Sequence, residues 1–392
     1  PENFQGGSAT KIIKTYRIRL KPTAEQEQKL WQHVGASRFM YNYMLDLQKK
    51  RYEAGEKHLS AFSMIKLITP LKRQPGYEWL CRVSTTSMQR VCQDLANAYE
   101  NFFSKRAKFP RFKSRKKSRA SYPVRETVYF IDGKTQIEKI GKVVYQTNYD
   151  LPQGRGHKFS NPRISNDNGK WILSVGIECE SQAPELTDKP MGIDVGVKDL
   201  AIVAFGEDQI VFHNINKSKR VRNLNRKKKK VQRAISRKYR TNGSYAKTKG
   251  IEKYERILKT INYKLANIRS NYIHQITHKL VSMLPMVVCV EDLNVTGMMK
   301  NRHLSKAIQE QCLGEFLRQM EYKCAWNGIE LVKVDRFYPS SKTCSCCGEI
   351  KKDLKLSDRT YVCPHCGLVI DRDYNAALNL MKYAASQTRA AA

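Results

Sequence analysis

Five of the chain's eleven cysteines fall between residues 344 and 366. Cys344-x2-Cys347 and Cys363-x2-Cys366 are separated by fifteen residues, a spacing that reads as a zinc site. Two such knuckles bring four thiolates to one tetrahedral Zn2+ through bonds of about 2.3 Å. Gly348 and Gly367 follow the two knuckles, where a tight turn suits them. Cys346 and His365 lie inside the knuckles and are not expected to be ligands, Cys346 being the obvious substitute. Four protein ligands close the shell, so this single metal is predicted to be structural.

The second reactive set is carboxylate. Asp194 sits within the apolar run MGIDVGV, Glu291 ends the run MVVCV, and Asp371 and Asp373 abut the last helical pattern. An acid in a buried strand is costly unless it is paired or binds metal. Each acid alone reads as an ordinary ion-pair partner. Three acids on the ends of core elements can also converge into a clamp for divalent metal. Two Mg2+ ions about 3.5–4 Å apart stabilise the attacking and leaving oxygens of phosphodiester hydrolysis, and Mg2+ prefers oxygen ligands. The order strand–Asp, two antiparallel strands, helix, strand–Glu, helix–Asp is that of an RNase H-like fold. The residues alone leave Asp371 and Asp373 equivalent.

Those acids need elements to hold them. Residues 14–20, KTYRIRL, alternate apolar and basic side chains, so a half-buried strand is expected. Thr23-Ala-Glu-Gln26 reads as a capping box that opens a helical stretch to about residue 103. In its last helix Met88, Val91, Leu95, Ala98, Tyr99 and Phe102 share a face, with Ser84 as cap. Strands follow over about 121–180, with a hairpin signal at Asn168-Gly169, and the N-terminal strand is expected to join them. Residues 191–197, LAIVAF and QIVFH form three antiparallel strands. Helical patterns at 217–240 and 251–284 then predict a long helical hairpin stopped by Pro285. A strand at 286–290, a single helix at about 305–326, a strand at 329–334 and a helix at 374–384 complete the pattern, with a frayed end from about 385.

Charge narrows the function. Lys and Arg number 71 against 36 Asp and Glu, a formal net charge of +35. A compact protein so charged repels itself, and a nucleic acid is the partner that best relieves it. Nine of the fifteen residues 105–119 and thirteen of the twenty-four residues 217–240 are Lys or Arg, with no acid in either run. Arg111, Lys113, Arg115, Lys116, Lys117, Arg226, Lys227, Lys230 and Arg233 are the candidates for backbone phosphate contact. Phe109 and Phe112 are read as anchors of their segment. No apolar run approaches the ~18–20 residues of a membrane span. Residues 1–10, PENFQGGSAT, read as a tag or linker scar. No secretion pattern opens the chain, and its cysteines suit a reducing compartment, the six outside the cluster being read as small buried hydrophobes.

GIDVGVKDLAIV, VCVEDLNVTGM, YPSSKTCSCCG, and VCPHCG with DRDYNAALN resemble the transposon-encoded TnpB family, as do the N-terminal IRLKPTAEQEQKL and GASRFMYNYML. These are RNA-guided DNA endonucleases, ancestor-like relatives of the type V CRISPR effectors. The resemblance runs from about residue 12 to 384. It implies an α/β multidomain chain: a β-barrel-like wedge domain in two parts (11–36 and 111–188) around a helical recognition lobe (37–110). An RNase H-like RuvC nuclease domain (189–342) follows, with an inserted zinc ribbon (343–368), a closing helix (369–384) and a tail (385–392). It further implies Asp194, Glu291 and Asp373 as the catalytic, Mg2+-holding acids, and so chooses Asp373 over Asp371. Thr85, Thr86 and Gln89 are implied as readers of a short DNA motif flanking the target. The implied partners are a guide RNA from the transposon end and double-stranded DNA, bound by a monomer in a prokaryotic cytoplasm at the nucleoid, with no membrane. A guided repressor without cleavage and an RNase H-like transposase are the alternatives; the complete acidic triad argues against the first.

Overall fold

The computed structural model describes residues 10–181, 184–241, 243, 247–355 and 358–391. The expected tag, apart from Thr10, lies outside them. The chain divides near residue 180 into two compact units.

The first unit begins with β1 (Thr10–Lys21) and four helices, α1 (Ala24–Glu53), α2 (Ala61–Lys66), α3 (Ile68–Arg73) and α4 (Thr85–Phe103). Six strands follow: β2 (Ser121–Pro123), β3 (Tyr129–Ile131), β4 (Lys134–Ile137), β5 (Gly141–Gln146), β6 (Ser160–Asp167) and β7 (Lys170–Ser181). They form one sheet in the order β2-β6-β7-β1-β5-β4-β3. The N-terminal strand thus joins the later ones with the helices looped out between. Ile18 and Leu20 point into the sheet's core while Arg17 stays exposed, as the alternation predicts. Asn168 (φ +52°) and Gly169 (φ +86°) make the left-handed turn that joins β6 to β7.

The capping box at the start of α1 is complete: Gln26 N–H donates to Thr23 Oγ1, and Thr23 N–H donates to Gln26 Oε1. The helices pack on a second core that includes Met40, Met44, Met64, Leu80, Val91 and Leu95. Ser84 caps α4 by accepting from Ser87 N–H. Phe109 packs edge-on against Phe102 and Tyr99, with Lys49 over the ring, in keeping with an anchor.

The second unit opens with β8 (Pro190–Val195), β9 (Asp199–Phe205) and β10 (Asp208–His213), then α5 (Lys219–Thr241) and α6 (Lys249–Val281). β11 (Val287–Glu291), α7 (Val295–Met298), α8 (Ser305–Gln311), α9 (Leu313–Trp326) and β12 (Glu330–Val334) follow. The small hairpin β13 (Thr360–Val362) and β14 (Val369–Asp371) leads into α10 (Arg372–Ala391). The sheet order is β10-β9-β8-β11-β12, with β9 antiparallel to both neighbours and β11 parallel to β8 and β12.

α10 lies directly on β8. A Cβ on Gly192 would meet the Ala377 carbonyl oxygen at 2.1 Å and the Met381 nitrogen at 2.3 Å, so only glycine permits this approach. α5 and α6 pair through a thin seam of Val221, Leu224, Val231, Ile261 and Leu265.

Three expectations change. The single helix at 305–326 is two, broken at Cys312, whose left-handed φ of +58° no continuous helix accommodates. The last helix does not fray at 385 but continues to Ala391, through alanine-rich sequence of high helix propensity. Of the six cysteines read as buried, Cys81 is exposed and Cys179 and Cys312 are only partly buried.

Candidate active site and metal centre

The sheet of the second unit brings two of the acids together by register. Val290 pairs with Ile193 in the parallel β8–β11 ladder, so the next residues, Glu291 and Asp194, stand side by side. α10, seated on β8, delivers Asp373 from its first turn. Asp194 is held well above the usual carboxylate range, first by desolvation, then by the charges of Glu291 and Asp373; Arg372 opposes this and Asp371 adds to it. Such crowding of buried like charges is relieved by a cation, and the donors are the hard oxygens that suit Mg2+.

Asp371 and Asp373 have different work. Oδ1 of Asp371 accepts the backbone N–H groups of Asp373 and Tyr374, each at 3.0 Å, so it caps α10. Asp373 faces Arg372, which donates to its Oδ1 from Nε at 3.0 Å and from Nη2 at 2.7 Å, while Arg359 stands 3.9 Å from Oδ2. Glu291 accepts a hydrogen bond from the hydroxyl of Ser340. Sequence reasoning did not single out Ser340, Arg359 or Arg372. Nothing in the spacing of Ser340, one of two adjacent serines before the first knuckle, marks it as a partner of an acid 49 residues earlier.

The four cysteines converge. Cys344 and Cys366 sulfurs lie 3.6 Å apart, as do those of Cys347 and Cys363. All four sulfurs lie within 4.8 Å of one another, against roughly 3.8 Å for thiolates at 2.3 Å around a tetrahedral zinc. The knuckles share one backbone scheme: Gly348 N–H donates to the Cys344 carbonyl and Gly367 N–H to that of Cys363. Both glycines have left-handed φ, +80° and +72°. Backbone N–H groups of Cys366 and His365 hold the Cys363 thiol down to about 6. Cys346 and His365 are outside the cluster. Among the described residues this is the one such cluster of His, Cys, Asp or Glu ligand atoms.

The remaining candidates are dispersed. Thr85 Oγ1 already accepts from Lys72 Nζ at 2.6 Å, while Thr86 and Gln89 are half-exposed at the start of α4. Arg111, Arg115, Lys116 and Lys117 are exposed. Lys113 is not: its ammonium sits 3.7 Å over the Tyr41 ring, its backbone is clasped by Asn42, and desolvation lowers its pKa. Lys113, Arg115 and Arg119 join Arg38 and Arg163 around a cavity of about 550 Å³ in the first unit. On α5, Arg226, Lys227, Lys230 and Arg233 are all exposed. Among the described residues no helix is long and apolar enough to cross a membrane.

Three families match parts of the chain: "Helix-turn-helix domain" at residues 12–57, "Probable transposase" at 174–302, and "Cas12f1-like, TNB domain" at 314–380. The first covers β1 and the single long α1. A Streptomyces pristinaespiralis protein named "Putative RNA-guided DNA endonuclease" is 32% identical over 372 residues, covering 94% of this chain and 89% of that protein. "Putative RNA-guided DNA endonuclease InsQ" of Escherichia coli K12 is 30% identical over 95% of this chain and 92% of its own length. Among solved structures, the chain in a Cas12f1-sgRNA-target DNA complex shares the fold with a TM-score of 0.59 at 14% identity, over 95% of this chain and 99% of that one.

Proposed function

The chain belongs to the TnpB family and is an RNA-guided DNA endonuclease with a guide RNA and a target DNA as partners, and we propose that Asp194, Glu291 and Asp373 form its single cutting centre. The carrying observation is the side-by-side register of Asp194 and Glu291 at the ends of β8 and β11, with Asp373 presented by the start of α10. The sheet order, with an antiparallel three-strand start and two parallel strands added on the other side of β8, supports an RNase H-like, RuvC-type domain over 189–342, closed by residues 369–384.

When bound by the three carboxylates, Mg2+ ions supply the Lewis-acid chemistry of phosphodiester hydrolysis. The protein's part is to hold its acids in place and oriented. The register of β8 and β11 fixes two of them, and the cap at Asp371 fixes the helix start that presents the third. The four-cysteine cluster fits a structural Zn2+ in a ribbon at 343–368 that contacts the target nucleic acid. One centre then cuts both strands in turn.

In the first unit we assign residues 11–36 and 111–188 to a wedge domain and 37–110 to a recognition lobe. Base pairing by the guide supplies sequence specificity, and the protein reads backbone, shape and a short flanking motif. Thr86 and Gln89 are the preferred readers of that motif, Thr85 being engaged by Lys72. The exposed cations of 111–117 and of α5 contact phosphates. The protein acts in the prokaryotic cytoplasm on nucleoid DNA.

Asp194→Ala is expected to abolish cutting of a guide-matched DNA while leaving guide-RNA binding unchanged. A variant that cuts at the wild-type rate would sink the assignment.

A further inference from the structure

Ser340 lies in the loop between β12 and the first cysteine knuckle and is buried, at 2% exposure. Its hydroxyl donates to Oε1 of Glu291. Its carbonyl accepts from Asn379 Nδ2 at 2.7 Å, and the same amide donates to the Thr343 carbonyl at 2.7 Å. One turn earlier on α10, Asn375 Nδ2 donates to the Thr343 carbonyl at 2.7 Å, and its Oδ1 accepts the Ser345 N–H at 2.9 Å. Lys382 Nζ donates to the Ser345 carbonyl. Residues 375, 379 and 382 share one face of α10, and both asparagines are buried. The segment 340–345 therefore starts at a carboxylate of the cutting centre and ends inside the metal knuckle. Along its length it is stitched to the helix that carries Asp373.

A buried hydroxyl has one proton to give. Given to Glu291, it fixes the carboxylate's rotamer through one oxygen. Hydrogen bonds to an ionised acceptor are the strong kind, and partners of this sort orient metal-binding carboxylates. A serine serving its own loop would bond a nearby carbonyl; this one reaches an acid on another element.

We infer that Ser340 is a positioning residue for Glu291, and that the Asn375–Asn379 seam makes this positioning depend on the folded first knuckle. The inference rests on the placement of Glu291 in the cutting centre.

The test uses the full-length protein with its guide RNA. Three readouts are taken: Mn2+ binding from the electron paramagnetic resonance of the free ion, the rate of target cleavage, and zinc content. Ser340→Ala is expected to weaken Mn2+ binding and slow cleavage by about 10–100-fold, with one zinc per chain retained and guide RNA still bound. Ser340→Thr keeps the hydroxyl and should recover most of both losses. Wild-type Mn2+ binding and cleavage in Ser340→Ala would overturn the inference. Loss of zinc together with cleavage would also overturn it, by assigning Ser340 to the stability of the knuckle. Glu291→Gln run in parallel separates the two levels: if that variant cuts at the wild-type rate, the centre itself is misassigned.

Discussion

His33 joins two elements through one ring. It is buried, at 2% exposure. Its Nδ1 donates to the Lys29 carbonyl at 2.8 Å, and its Nε2 accepts the Ser84 N–H at 3.1 Å. That arrangement requires the neutral ring, and desolvation holds its pKa below the ordinary 6.5. An unfolded chain therefore takes the proton first as pH falls. The resulting loss of stability begins near pH 6.5 and grows below it, at up to about 1.4 kcal/mol per pH unit; above that range the group costs nothing. In denaturant unfolding at pH 7.5 and 5.5, His33→Gln should lose this part of the pH dependence, and an undiminished slope would refute it. Other single residues show how much the sequence disclosed. The convergence of the four cysteines and the neighbouring placement of Asp194 and Glu291 were legible because spacing and an acid in an apolar strand are local signals. Asp371 against Asp373 was not legible to chemistry alone, because which acid caps the helix depends on where the preceding turn ends. Ser340 and the burial of Lys113 were hidden for the same reason: each depends on a contact between residues distant in the chain.

At the scale of elements, the close seating of α10 on β8 sets the geometry of the carboxylates. Gly192→Ala places a methyl against backbone atoms that cannot rotate away. The expected cost is about 3 kcal/mol or more, the upper end for overpacking, together with loss of cutting as Asp373 moves off. Thermal unfolding and a cleavage assay check this, and an unchanged melting temperature would contradict the packing described. Periodicity and local turn and cap signals predicted the larger elements: the alternation of β1, the capping box of α1, the hairpin at Asn168-Gly169 and the long stripes of α5 and α6. They missed the break at Cys312. The apolar pattern runs on across 305–326, and nothing in the residue type announces a left-handed φ. They also stopped the last helix too early, since small residues after 385 carry no stripe yet retain helix propensity.

Over the whole molecule, the net charge of +35 is unevenly used. None of the lysines and arginines of α5 makes an ion pair among the described residues, and its apolar seam with α6 is thin. A helix so built leaves its cations free for phosphates. Changing Arg226, Lys227, Lys230 and Arg233 together to glutamine should flatten the dependence of guide-RNA affinity on salt. Four lost contacts to single-stranded RNA lower the slope of log K against log salt by roughly 3. Filter binding between 50 and 200 mM salt measures this, and an unaltered slope would remove α5 from the RNA interface.

The seating of α10 also sets a timetable. Asp194 leaves the ribosome 179 residues before Asp373. At 5–20 residues per second that interval is roughly 10–35 s. By its end the first unit, the five sheet strands and the basic hairpin have been made, whereas the third acid and the face that pins residues 340–345 come last. The polypeptide thus acquires surfaces for nucleic acid before it acquires a finished blade, and its youngest molecules can hold a nucleic acid without cutting one.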